Sequence, residues 1–318
     1  MGFLKNLERE IVELKKKKNA VILAHYYQDG ELQDIADFVG DSLDLSKKAS
    51  STDAKIIVFC GVTFMGEVAK LLNPRKKVIV PDMAAGCSLE DSCKVEHLKK
   101  FVSSVENPFI LTYINSSVHV KAISDSICTS SSAEKIINNI PKEKNIVFVP
   151  DKFLGNYLQK RTGREMKIWQ GTCIVHENFS EKHVISLKLE NPDAKVVAHP
   201  ECPDVLIKYA DFVGSTSQIL SYIEKSGFLK FIVLTEPGII HQARKILPYG
   251  VFLPVESVNS SGACAMCSEC PYMRLNTMEK LYHCLVREEP LIEIDPSIFD
   301  SARSAVENMF FYLNKQRV

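Results

Sequence analysis

The sequence predicts an α/β protein of three similar αβα sandwich units, each with a short parallel sheet, arranged with pseudo-threefold symmetry around a central active site. Two observations carry this expectation. The first is a series of short β-branched runs: "AVILAHYY", "KIIVFCGV", "KVIVPD", "PFILTYIN", "NIVFVPD", "MKIWQG", "AKVVAHPE", "FIVLTEPG" and "VFLPVE". Helix-like stretches such as "GEVAKLLN", "SAEKIINNI" and "TSQILSYIEKS" lie between many of them. Continuous apolar runs alternating with helices are what parallel strands covered on both faces look like. The second is a long internal period. Polar strand ends fall at His25, Tyr113 and His199, 88 and 86 residues apart. Serine-rich helix starts follow at Ser42, Ser130 and Ser215–Thr216, and cysteines past a later strand fall at Cys87, Cys173 and Cys270. Three features repeating in the same order read as one unit used three times.

The expected units are 1–104, 105–190 and 191–318, the last ending in a C-terminal helix. The final cysteine interval is 97 where the earlier one is 86, and "ESVNSSGACAM" is the natural place for an insertion. Ahead of the first strand, Phe3, Leu4, Leu7, Ile11 and Leu14 recur at helical spacing, with Lys15 to Lys18 as the solvated end of that helix. The same stretch is too charged for a signal peptide, and no run of about 18 apolar residues occurs. A cytoplasmic protein is expected.

With 318 residues and 46% hydrophobic composition, the chain needs no disulfides to be stable. Lys+Arg and Asp+Glu both number 39, so no basic field attracts nucleic acid or an anionic membrane. Ten cysteines in a reducing compartment point to metal or redox chemistry, although several can serve as small buried hydrophobes. Cys60, Cys93, Cys128, Cys202 and Cys284 read as structural.

In open α/β units, ligands bind beyond the carboxyl ends of the strands. Three units facing one axis would gather three strand ends and the thiols of Cys87, Cys173 and Cys270. Three thiolates are one ligand short of a closed zinc site and of a fully ligated iron–sulfur cluster, which leaves a metal open to substrate. Competing local readings are a zinc knuckle from Cys264, Cys267, Cys270 and His283 or Cys284, a ferredoxin-type module and a radical S-adenosylmethionine enzyme. The C-x2-C-x2-C spacing suits none of them well. Ser42, Ser130, Ser215 and Thr216 at helix starts serve either as caps or as anion donors, and together they favour a small ligand bearing carboxylates and a phosphate. Tyr27 beside His25, and Glu201 beside His199, supply an acid and a base for proton transfer, and Tyr113 and Asn115 take the matching place in the second unit.

The combination "AHYYQ", "GDSLDLS", "DMAAGCSL", "TYINSS", "CTSSSA", "PDKFLGNY", "WQGTCIVHE", "AHPEC", "GSTSQI", "TEPGI" and "CSECPYMRLN" resembles the quinolinate synthase family over essentially the whole chain. The resemblance implies condensation of iminoaspartate with dihydroxyacetone phosphate to quinolinate, releasing phosphate and two waters, in NAD biosynthesis. It implies a 4Fe-4S cluster on Cys87, Cys173 and Cys270 with one iron open. It places substrate contacts on His25, Ser42, Tyr113, Asn115, Ser130, His199, Ser215 and Thr216, and acid–base work on Tyr27 and Glu201, with His176 a lesser candidate. A functional link to an iminoaspartate-producing enzyme goes with it. Some family members lack the full cysteine run, so Cys264 and Cys267 are spare here. They form either a redox-switching disulfide or loop packing. An iron–sulfur hydro-lyase on a small hydroxy acid and a non-catalytic metal or redox-sensing protein are the rival readings.

Overall fold

The apolar runs become strands of three separate, wholly parallel, four-stranded sheets in the computed structural model, which describes residues 2–257 and 268–315. The first sheet holds β1 (Ala20–His25), β2 (Phe38–Gly40), β3 (Ile56–Cys60) and β4 (Lys77–Ile79) in the order β2-β1-β3-β4. The second holds β5 (Pro108–Tyr113), β6 (Ser126–Cys128), β7 (Asn145–Val149) and β8 (Met166–Ile168) in the order β6-β5-β7-β8. The third holds β9 (Lys195–Ala198), β10 (Phe212–Val213), β11 (Lys230–Leu234) and β12 (Val251–Pro254) in the order β10-β9-β11-β12. One topology is used three times.

A side-chain device recurs with it. Just before each short second strand an aspartate turns back on the first strand of its sheet. Asp37 accepts from the Ile22 amide at 2.8 Å, Asp125 from Ile110 at 2.7 Å, and Asp211 from Val196 at 2.9 Å. In each case the aspartate amide donates to the carbonyl of that same residue, at 2.9, 3.0 and 2.8 Å. The pair of bonds satisfies strand groups that an edge strand of two or three residues is too short to reach.

The central strands are apolar because both faces are covered. Every residue of β3 is buried, and so are Ile232 and Val233 of β11. The first and second units share one core, in which Leu23, Phe59, Leu111 and Phe148 pack in a single cluster. The last helix, Pro296–Asn314, completes that core: it lies against β6 and the helices Thr63–Leu72, Val118–Lys121 and Ala133–Asn139, and it buries Ala302, Ala305, Val306 and Met309. Burying a side chain the size of Val or Met contributes about 1.5–3 kcal/mol each. The helix that ends the third segment of sequence therefore packs on the first two sheets. At the other end, helix Gly2–Lys18 buries Leu7 and Ile11 in a cluster with Leu281 and Leu285 of helix Met278–Arg287. No described helix is long and apolar enough to cross a membrane.

Candidate active site

His25 closes β1, Tyr113 closes β5, and His199 follows β9 directly. These carboxyl ends meet around one cavity with a volume of about 70 Å³ open to water-sized molecules. His25, Tyr27, Ser42, Tyr113, Asn115, Ser130, His199, Glu201 and Thr216 all line it, together with Cys87, Cys173 and Cys270. Ser215 does not. Its hydroxyl accepts from the Gln218 amide and the Gln218 side chain accepts from the Ser215 amide, so it is spent on a capping box for helix Thr216–Lys225.

The other two helix starts differ from the sequence expectation. Helix Ser42–Ser51 is capped by Asp41, whose Oδ1 takes the Leu43 and Asp44 amides at 3.0 Å each. Those two donors are satisfied by a carboxylate and are not free for an anion. Ser130 precedes helix Ala133–Asn139 by a turn, with Ser132 at the cap position, and its hydroxyl lies 3.3 Å from His199 Nε2. Ser42 and Ser130 thus face the cavity as hydroxyls, not as caps.

Tyr27, Thr235, His176, Glu201 and Tyr113 form a continuous hydrogen-bonded chain. Tyr27 Oη is 2.7 Å from Thr235 Oγ1, which is 2.9 Å from His176 Nε2. His176 Nδ1 is 2.9 Å from Glu201 Oε2, and Tyr113 donates to Glu201 Oε1 at 2.5 Å. The electrostatics sort these groups. Burial, aided by His199, brings His25 down to about 3, and burial brings His199 to about 4 against the pull of Glu201, so both imidazoles are neutral near pH 7. Burial alone would raise Glu201, but His176 and His199, with hydrogen bonds from His176 and Tyr113, hold it ionised at about 2. Burial and the Glu201 charge keep the Tyr27 and Tyr113 phenols protonated, well above their ordinary value.

The loops that carry the thiols are stitched together. Ser88, next to Cys87, donates to the Thr172 carbonyl at 3.3 Å and accepts from the Ile174 amide at 3.1 Å, so one hydroxyl grips both peptides flanking Cys173. Gly171 makes this approach possible: a Cβ there would lie 2.6 Å from the Pro150 carbonyl oxygen and collide with Ser92. The Cys270 amide donates to Glu236 Oε1 at 3.3 Å, and Arg274 reaches the same oxygen at 2.8 Å, Asp29 at 2.7 Å and the Tyr27 carbonyl at 3.3 Å. Burial outweighs Arg274 and raises Glu236 to about 8.

Burial likewise raises Cys87, Cys173 and Cys270, the last to about 11, so the thiols are protonated until a cation offsets the cost of ionisation. Three soft donors on one cavity fit a thiolate-bound metal group. Cys173, His176 and Glu201 form a second possible donor set, with ligand atoms within 4.8 Å of one another, but His176 and Glu201 already engage each other. Cys264 and Cys267 lie outside the described residues. Cys60, Cys93, Cys128, Cys202 and Cys284 are buried free thiols that do not line the cavity. Cys284 donates to the Val80 carbonyl inside the first unit.

Four residues of this constellation carry little sequence signal. Thr235 and Glu236 sit at the end of the apolar run "FIVLTEPG", Arg274 follows the cysteine run, and Asp41 precedes the serine that marks the helix start. The repeat offered one clue, since Asp151 follows β7 much as Glu236 follows β11.

A thrice-repeated α/β unit closing on one cavity, with three thiols and an ionised carboxylate on its wall, defines a protein class suited to a metal cofactor and a small substrate. The chain belongs to the NadA family, described as quinolinate synthetase A protein, whose model matches residues 9–311. It is 56% identical over 303 residues to a quinolinate synthase of Ehrlichia chaffeensis, covering 95% of this chain and 96% of the relative. A quinolinate synthase of Prochlorococcus marinus is 50% identical over 312 residues, covering 98% and 92%. One of Synechocystis is 49% identical over 305 residues, covering 96% and 95%.

Proposed function

We propose that this chain is a quinolinate synthase of NAD biosynthesis, which joins iminoaspartate to dihydroxyacetone phosphate and releases phosphate and two waters. The observation that carries the reading is the meeting of Tyr27, Glu201, Cys87, Cys173 and Cys270 on one cavity at the junction of three sheets. Cys87, Cys173 and Cys270 would hold a 4Fe-4S cluster, which, with one iron unligated by protein, supplies Lewis acidity toward groups that must leave as water.

The protein side of the mechanism follows from the geometry. Tyr27, a phenol held by Thr235, moves a proton during isomerisation of the triose part. Glu201, ionised and oriented by His176 and Tyr113, takes protons as the ring closes and aromatises. Neutral His25 and His199, with Ser42, Tyr113, Asn115, Ser130 and Thr216, hold the carboxylates and the phosphate as hydrogen-bonding partners. Ser215 acts indirectly, by fixing the helix start that presents Thr216. The division into units 1–104, 105–190 and 191–318, a cytoplasmic location and supply of substrate by an iminoaspartate-producing enzyme belong to the same reading.

The test is quinolinate formed per chain under strict anaerobiosis from dihydroxyacetone phosphate and freshly generated iminoaspartate, after reconstitution with iron and sulfide. Product that disappears on iron chelation is the expected result. A protein confirmed to hold four irons that forms no quinolinate overturns the reading and favours the hydro-lyase.

A further inference from the structure

Lys121 is the only lysine or arginine fully buried among the described residues, with 0% of its surface exposed. Its ammonium donates to the Ser116 carbonyl and lies 5.3 Å from the centre of the Phe64 ring. It makes no salt bridge among the described residues. Phe64 and Asn115 are cavity wall, so Lys121 stands one layer behind that wall, with Ser116 and Phe64 between it and the space. Among the described residues the wall itself contains no lysine or arginine. It does contain unmet hydrogen-bonding capacity: Asn115 Oδ1, and Ser116 Oγ just behind it, are buried without a partner among the described residues. Burial works against the charge of Lys121, and Glu67 and Glu90, which flank it, work for it. A buried ammonium with no direct salt bridge is costly even so, and an anion in the adjoining cavity would offset that cost.

We propose that Lys121 is the positioning residue and background charge that lets this cavity hold a phosphate ester and a dicarboxylate together, fixing Asn115 through the Ser116 carbonyl and adding attraction from behind the wall. This inference rests on the quinolinate synthase reading for its substrates. In the reconstituted holoenzyme, Lys121→Met should raise KM for dihydroxyacetone phosphate and the dissociation constant of inorganic phosphate by about tenfold, with a smaller change in kcat. A folded variant in which both constants stay within about twofold of wild type overturns the inference.

Should Lys121→Met not fold, Glu67→Gln is the second probe. Glu67 accepts the Val118 amide at 2.9 Å, a bond that a glutamine oxygen can keep. Removing its charge leaves Lys121 less offset, so phosphate should bind more tightly, an outcome that a damaged fold does not produce. Unchanged or weaker binding overturns the inference. Phosphate affinity is measured by calorimetry without turnover. Failure of wild type to form quinolinate would therefore strike the functional reading while leaving the charge effect separately measurable.

Discussion

Replacing Thr235 by valine removes one hydroxyl and almost nothing else. The side chain is fully buried, and its Oγ1 is the shared partner of Tyr27 Oη at 2.7 Å and His176 Nε2 at 2.9 Å. Valine keeps the shape and leaves two buried polar groups unpaired. Each orphaned group costs about 1–3 kcal/mol, so the variant should lose about 2–6 kcal/mol of stability. The functional loss has a different origin. One hydroxyl hydrogen means that Thr235 accepts from one neighbour while donating to the other. When it accepts from the Tyr27 phenol, it donates to His176 Nε2, which places the imidazole proton on Nδ1, facing Glu201. Without that hydroxyl Tyr27 Oη and His176 Nε2 each lose their anchor, and the phenol and the imidazole ring are less firmly placed. Properly placed acid–base groups contribute about 10²–10⁴ in rate, and partial misplacement should cost about 10- to 100-fold in kcat. KM should change little, because Thr235 does not line the cavity. Anaerobic quinolinate production and a urea denaturation midpoint measure the two effects, and Thr235→Ser should restore both. Wild-type turnover in a stable Thr235→Val protein would refute the reasoning.

Three other outcomes are expected. Gly171→Ala should displace the strand-end loop before Cys173 and lower iron content after reconstitution together with stability, since its Cβ would meet the Pro150 carbonyl and Ser92; iron assay beside a denaturation curve checks this. Cys173→Ala should lose iron while Cys202→Ala, whose thiol points to the Leu234 carbonyl, should keep it, and iron analysis of both reads the contrast directly. Glu288 pairs with Lys18 at 2.7 Å and Lys77 at 2.6 Å, which lowers its carboxyl to about 2. The folded value lies below the unfolded one near 4.3, so its stabilising contribution is full at neutral pH and fades as the pH falls through that window. The stability gap between wild type and Glu288→Gln should therefore be small, largest above pH 5, and close toward pH 2. A gap that does not depend on pH would assign it to packing.

Nine of the strands were legible because each lies in an apolar run of the sequence, even where, as in β4 and β8, only three residues form the strand. β2, β6 and β10 were not: two or three residues such as Phe212–Val213 carry no periodicity. What marks them is the aspartate before each, a signal that becomes meaningful only once its bond to the neighbouring strand is seen. The three thiols and the strand-end histidines were legible through the repeat register, because recurrence in sequence becomes convergence in space. Serines at helix starts were read for position and not for what the backbone already had, so Asp41 escaped notice as the donor-satisfying group. Thr235 and Arg274 act through contacts more than 200 residues away in sequence, to Tyr27 and Asp29, and a single sequence holds no trace of such pairs.

The placement of helix Pro296–Asn314 bears on how the molecule is made. Synthesis delivers the first two sheets early, yet the apolar surface formed by Phe109, Ile127 and Ile136 is covered by Val306, Met309 and their neighbours at the far end of the chain. A nascent chain that has emerged only as far as β8 carries an open groove where this helix belongs. Early units that ordinarily finish folding on the ribosome in order must here wait for the last segment. Two of the three thiols sit on those waiting units. Cofactor loading is thereby tied to the emergence of helix Pro296–Asn314, and a truncation before residue 296 should leave aggregation-prone first and second units, not a smaller working protein.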